Sequence, residues 1–325
     1  MDPEQFFTAS GVIIVAGKGG VGKTAVTGAL AHAASSVGVR TLIIEIEGKS
    51  GLAAAFGSNR LTYDEIELVD AGDGHAGVTA RTLTPDDALV EYLHDHGMKR
   101  ISNRLVSSGA LDMVSTAVPG IRDILVLGKI KQLERASGFD LIIVDAPAAG
   151  HAISFLRSAR GLADAVKVGP INSQAKDVLE LLNDPARCRV ILVTLPEETP
   201  VNELIETAYS VEDEVGLALG PVVVNGVLPR MPGLDISPEE AAEELGVELT
   251  RDQTRILGDA AAFRISRAEL QDRQLSRLGR DLPLPQLRLP QLFTSELGRG
   301  EIQTLAQTLL AQIRELPDQS GGRSA

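Results

Sequence analysis

The segment Gly17-Lys18-Gly19-Gly20-Val21-Gly22-Lys23-Thr24 fits the spacing G-x-x-x-x-G-K-[ST] and constrains the fold more than any other feature of the chain. It follows a β-branched apolar run, Val12–Ala16, and precedes an alanine-rich stretch, Ala25–Val37, closed by Gly38. Strand, glycine turn and helix in that order are what a phosphate-binding loop requires. Glycines let successive backbone N–H groups converge on phosphate oxygens, and the helix N-terminus adds partial positive charge. Lys23 is expected to reach the β- and γ-phosphates of a nucleotide, and the Thr24 hydroxyl to bind Mg²⁺. ATP or ADP with Mg²⁺ is therefore the expected ligand, contacted by the loop from Gly17 through Ala25.

Further β-branched runs recur at Thr41–Ile46, Leu141–Val144, Val190–Thr194 and Val222–Val224. None alternates with polar residues, as expected of parallel strands covered on both faces. Helical spacing appears between them, in Ala25–Val37, Ile121–Ala136 and Asn202–Val215. This alternation predicts an α/β fold with a doubly wound, mostly parallel sheet. Residues 1–316 read as one domain, with 57–120 (a strand at Val78–Leu83, then mostly helix) and 235–280 as mostly helical insertions. In the second insertion, Ser237-Pro238-Glu239-Glu240 reads as a capped helix start. Leu282–Pro290 holds three prolines and is expected to be an extended crossing. Glu301–Leu316 carries an apolar stripe for packing on the sheet, and residues 317–325 read as a flexible tail.

Composition excludes several classes. A net charge of −13 and 3% aromatic residues argue against a nucleic-acid partner, which wants a basic face and stacking platforms. One cysteine, Cys188, permits no internal disulfide. No apolar run approaches the roughly 20 residues that cross a bilayer, and the first one ends in glycines and lysine, unlike a secretory signal. A cytoplasmic protein is the expectation.

A second acidic element completes the site. Phe139–Asp145 is an apolar strand ending in an acid. An aspartate at the end of a strand beside the loop is placed to hold the magnesium or its water, so Thr24 and Asp145 are the expected metal residues.

With these residues in view, GKGGVGKT resembles the deviant Walker A loop of the MinD, ParA and nitrogenase-iron-protein group. The run Asp145-Ala146-Pro147-Ala148-Ala149-Gly150-His151, with Phe155-Leu156, is similar to the second switch of the arsenite-pump (ArsA) and guided-entry ATPases, D-T-A-P-T-G-H-T. Pro119-Gly120-Ile121 resembles that family's PGID signature. The resemblance covers about residues 11–316 and points to the shorter bacterial branch of anion-transporting ATPases. It implies a P-loop fold of the SIMIBI type and ATP hydrolysis by a dimer. Lys18 would cross the dimer interface to the partner's phosphates, where such a cation is worth roughly 10³–10⁵-fold in rate. Asn225 and Pro290 would bind adenine, and Gly150 and His151 would serve the switch.

Three departures limit the inference. The family's first switch reads D-P-A-H-S/N-L-S-D-A-F; here Glu47 replaces the first acid, and Ala54 stands where the water-positioning aspartate belongs. A methyl group orients no water, so slow intrinsic hydrolysis is expected unless Glu47 or a partner supplies the missing group. Glu45 and Glu47 share a strand face, so either is a candidate to approach the metal. There is no C-x-x-C zinc pair, and only four methionines, which argues against a carrier of transmembrane segments. Cys188 alone makes no arsenite site. The expected partner is a second copy or a related ATPase subunit in a heterodimer, with an unidentified cargo or membrane partner left open. The competing readings are a regulatory subunit with negligible turnover and a ParA- or MinD-type positioning ATPase.

Overall fold

The structure, a computed structural model, describes residues 1–46, 51–95, 97–100 and 120–318. Its first half runs α1 (Pro3–Thr8), β1 (Val12–Gly17), α2 (Lys23–Ser35), β2 (Thr41–Ile46), α3 (Gly51–Ala55), β3 (Ile66–Val69), β4 (Val78–Leu83) and α4 (Pro85–Asp95). After residue 120 come α5 (Ile121–Arg135), β5 (Leu141–Ala148), α6 (Ala149–Ala165), α7 (Pro170–Leu182), β6 (Cys188–Thr194) and α8 (Glu198–Ser210). The chain ends with β7 (Ala218–Leu219), β8 (Val222–Val227), α9 (Pro238–Leu245), α10 (Arg251–Asp281), β9 (Gln286–Pro290) and α11 (Arg299–Glu315).

The strands form one sheet in the order β3-β4-β2-β5-β1-β6-β8-β9, with β7 beside β6. Every pairing is parallel except β3 with β4. The apolar runs of β1, β2 and β6 are buried along their whole length because helices cover both faces. Their side chains alternate between two cores. Val12, Ile14, Leu42 and Ile44 face a layer made by α5, α6, α7 and α8. Ile13, Val15, Ile43 and Ile143 face the layer of α2 and α11. This doubly wound α/β sheet is the expected fold.

Several local readings change. In residues 57–120 the expected strand Val78–Leu83 is β4 and the helix α4 follows it, whereas β3, which extends the sheet beyond β4, was not foreseen. β3 is four residues long and antiparallel, too short for periodicity to reveal. β5 continues through Ala148, so Asp145 lies inside the strand rather than at its end. The proline-rich crossing ends as strand β9, a sheet edge where the missing proline N–H costs no ladder bond. The helix expected over 202–215 stops at Ser210 and finishes in a π-turn, Val211–Val215, closed by Gly216 in the left-handed region.

Residues 238–281 are helical apart from the connection 246–250, with capping boxes at Ser237/Glu240 and Thr250/Gln253 starting α9 and α10. α9 buries no residue, and α10 buries only Gln271, Leu275 and Leu278, all near its C-terminal end. Among the described residues no helix is long and apolar enough to cross a membrane.

Candidate nucleotide site

β1 delivers the chain to Gly17 in the middle of the sheet, between β5 and β6. A side-chain carbon at Gly17 would run into the Val193 carbonyl of β6, so only glycine lets the loop leave the sheet here. Gly22 is the N-cap of α2, with φ 88°, and no side chain caps the helix. The N-terminus of α2 thus opens on the loop without a capping side chain, an arrangement that favours an anion there. Lys23, 7% exposed, bends back over the loop, its Nζ donating to the Lys18 carbonyl at 3.2 Å.

Thr24 Oγ1 donates to Asp145 Oδ2 at 2.7 Å, across 121 residues of sequence. Asp145 is fully buried and stands in register with Val15 on β1 and Glu45 on β2. Register partners on parallel strands point to the same face, so the two acids lie side by side towards α2. Glu45 is fully buried as well. A hydroxyl and buried carboxylates are hard oxygen donors of the kind Mg²⁺ takes, usually one or two from protein with the rest from water and phosphate. The donor set therefore fits the metal that a phosphate loop implies.

Asn225 follows the buried part of β8, and its Nδ2 donates to the Val21 carbonyl at 3.0 Å, against Gly22. The expected base-reading residue thus touches the phosphate loop itself. Pro290 ends β9 in register with Val227. Beyond them opens a cavity of about 490 Å³, lined from β8's end by Gly226 and Leu228, and by Gln291 and Phe293 past Pro290.

Lys18 Nζ donates to Glu203 Oε1 at 2.5 Å, on α8 of its own subunit. Ala54 is exposed on α3, whose first residue, Gly51, lies against the Thr24 methyl. Glu47 and Pro119 lie outside the described residues. Gly150 and His151 sit in the first turn of α6, while Phe155 and Leu156 are core residues packed under the sheet. Cys188 is buried at the start of β6, and that burial pushes its thiol up to about 12. Neither Glu203 nor Gln271, described below, was foreseen from sequence, since nothing in the local pattern of α8 or α10 marks either one.

A family described as Anion-transporting ATPase matches this chain over residues 10–172, a span that contains the loop, Thr24, Asp145 and the second-switch segment. The chain belongs to that family. It is 32% identical over 249 residues to ATPase BagA of Mycobacterium tuberculosis, covering 74% of this chain and 71% of that protein. Identity to the arsenical pump-driving ATPase of Escherichia coli is 27% over 238 residues, 66% of this chain but 39% of that protein. ATPase get3 of Schizosaccharomyces japonicus is 28% identical over 175 residues, about half of each chain. This anion-transporting ATPase family member is accordingly an ATPase with a P-loop fold. The family match ends at residue 172, before Asn225 and Pro290.

Proposed function

We propose that this chain is an ATP-switched ATPase of the cytoplasm, one domain over residues 1–316, whose Mg-ATP-bound form associates with a second copy or a related subunit. The observation that carries the reading is the 2.7 Å contact between Thr24 and buried Asp145, directly beside a loop whose mouth is covered by Lys23. In this reading the amides of Gly17–Ala25 and the Lys23 ammonium hold the phosphates. Thr24 and Asp145 hold the magnesium, which supplies charge neutralisation on the phosphate oxygens when bound. Glu45 lies next to Asp145 and Glu47 two residues further along the chain, and both are candidates to support the same ion or its water. Asn225 and Pro290 frame the adenine. Lys18 leaves Glu203 and turns to the phosphates across the interface, and Gly150 and His151 report the state of the nucleotide.

Sedimentation velocity with a non-hydrolysable ATP analogue and magnesium tests this. The wild type should shift from monomer to dimer, and Lys18→Ala should lose the shift while keeping its nucleotide affinity. A wild type that binds the analogue and stays monomeric in every mixture with related subunits would sink the switch.

The exposed Ala54 favours a second reading, a nucleotide-binding regulatory subunit that a partner completes. Phosphate release separates the two. Turnover that stays at the level of a Lys23→Ala control, alone and with partner, leaves only the regulatory role. The net charge of −13 opposes a nucleic-acid partner, and a cargo or membrane partner remains to be found by its binding to the ATP-bound form.

A further inference from the structure

α10 reaches the base end of the site through one buried side chain. Gln271 is 6% exposed, and its amide clasps the turn that follows Asn225 from both sides. Its Nε2 donates to the Gly226 carbonyl at 3.2 Å, and its Oε1 accepts from the Leu228 N–H at 2.8 Å. Gly226 has φ 74°, and a side-chain carbon there would press on Gln291 and Leu195, so the turn has little room of its own. The other side of the turn is fixed by β9's end, where the Gln291 N–H donates to the Val227 carbonyl at 2.8 Å.

These bonds shape the mouth of the 490 Å³ cavity past Asn225. Phe293 stands over it at 75% exposure, with the Arg264 guanidinium of α10 5.3 Å from its ring centre. A solvent-exposed aromatic face beside hydrogen-bonding backbone suits a flat heterocycle, whose faces want stacking and whose edges want polar partners. Asn225 immediately precedes Gly226, which lines that cavity, and its amide donates to the loop, so its placement depends on the turn that Gln271 holds.

Taking the nucleotide reading above as its basis, we infer that Gln271 is a positioning residue for recognition of the adenine base. α10 thereby makes nucleotide preference depend on a helix that touches no phosphate, and Phe293 supplies the stacking face. A merely structural Gln271 would weaken every ligand of the site equally. A positioning residue for the base weakens only ligands that have one.

Calorimetry at fixed magnesium distinguishes these, with three probes: non-hydrolysable ATP, non-hydrolysable GTP and inorganic tripolyphosphate. Gln271→Met keeps the length and helix preference but removes both bonds. It is expected to weaken the ATP analogue on the order of tenfold, to narrow the ATP-to-GTP ratio towards one, and to leave tripolyphosphate within twofold. Phe293→Ala, exposed and therefore tolerated by the fold, should weaken the ATP analogue and spare tripolyphosphate. Equal weakening of all three probes in Gln271→Met, or an unchanged ATP-to-GTP ratio, overturns the assignment. ATP affinity unaffected by Phe293→Ala removes the cavity as the base site. A wild type that binds tripolyphosphate but shows no base preference overturns this inference alone, whereas one that binds none of the probes overturns the nucleotide reading with it.

Discussion

At the residue scale, Gly20 and Gly22 separate backbone strain from crowding. Both have left-handed φ, 86° and 88°, but a side-chain carbon at Gly20 meets open space while one at Gly22 meets the Asn225 amide. Gly20→Ala should therefore cost only the left-handed penalty, about 1–2 kcal/mol. Gly22→Ala should cost more and should also displace Asn225, and chemical denaturation of the two variants measures the difference. Cys188 gives a pH test. Its folded thiol is raised from 9.0 to about 12 by burial, so the folded chain holds a proton that the unfolded chain gives up. Its contribution to stability is complete below pH 9 and falls as pH rises from 9 towards 12, by at most about 1.4 kcal/mol per pH unit. The alkaline slope of wild type minus Cys188→Ala should show that fall, and a flat difference would exclude it. At this scale the loop, Thr24 and Asp145 were legible because each belongs to a contiguous pattern with a chemical reason. Glu203 and Gln271 were not, since their partners lie 185 and 45 residues away and only folding joins them.

At the element scale, the apolar stripe of α11 was readable because Ile302, Leu305, Leu309 and Ile313 recur at helical spacing, and all four are buried against the α2 side of the sheet. That packing places the terminal helix on the phosphate-loop helix, with Ile302 beside Gly28. Leu309→Ala should cost about 2–5 kcal/mol in denaturant melts, and a loss under 1 kcal/mol would mean that α11 is not seated as described. β3 escaped reading because an antiparallel edge of four residues has too few positions for a period, and β9 because its prolines argued against a ladder that only an edge strand tolerates. The Lys18–Glu203 pair ties the loop to α8, with the two side chains 41% and 36% exposed. Such a pair contributes at most about 1 kcal/mol. Glu203→Ala should consequently strengthen ATP-dependent association, by no more than about fivefold, as read by sedimentation; weaker association would show that Glu203 helps Lys18 rather than restrains it.

On the scale of the whole molecule, a parallel sheet with helices on both faces brings the carboxyl ends of β1, β2, β5, β6 and β8 to one edge, and nearly every site residue lies there. That arrangement explains how a loop at residue 17, an acid at 145 and an amide at 225 meet although each is read from its own stretch of chain. α9 and the first half of α10 contribute little to the core, yet α10 ends on the base side of the site through Gln271. The central claim is that this edge holds a magnesium nucleotide. Isothermal titration of the folded chain with ATP, with and without magnesium, tests it most directly. The account predicts one site per chain, tighter with magnesium, abolished by Lys23→Ala and stripped of its magnesium dependence by Asp145→Asn. A folded wild type that releases no binding heat and shows no displacement of a fluorescent ATP analogue would contradict it.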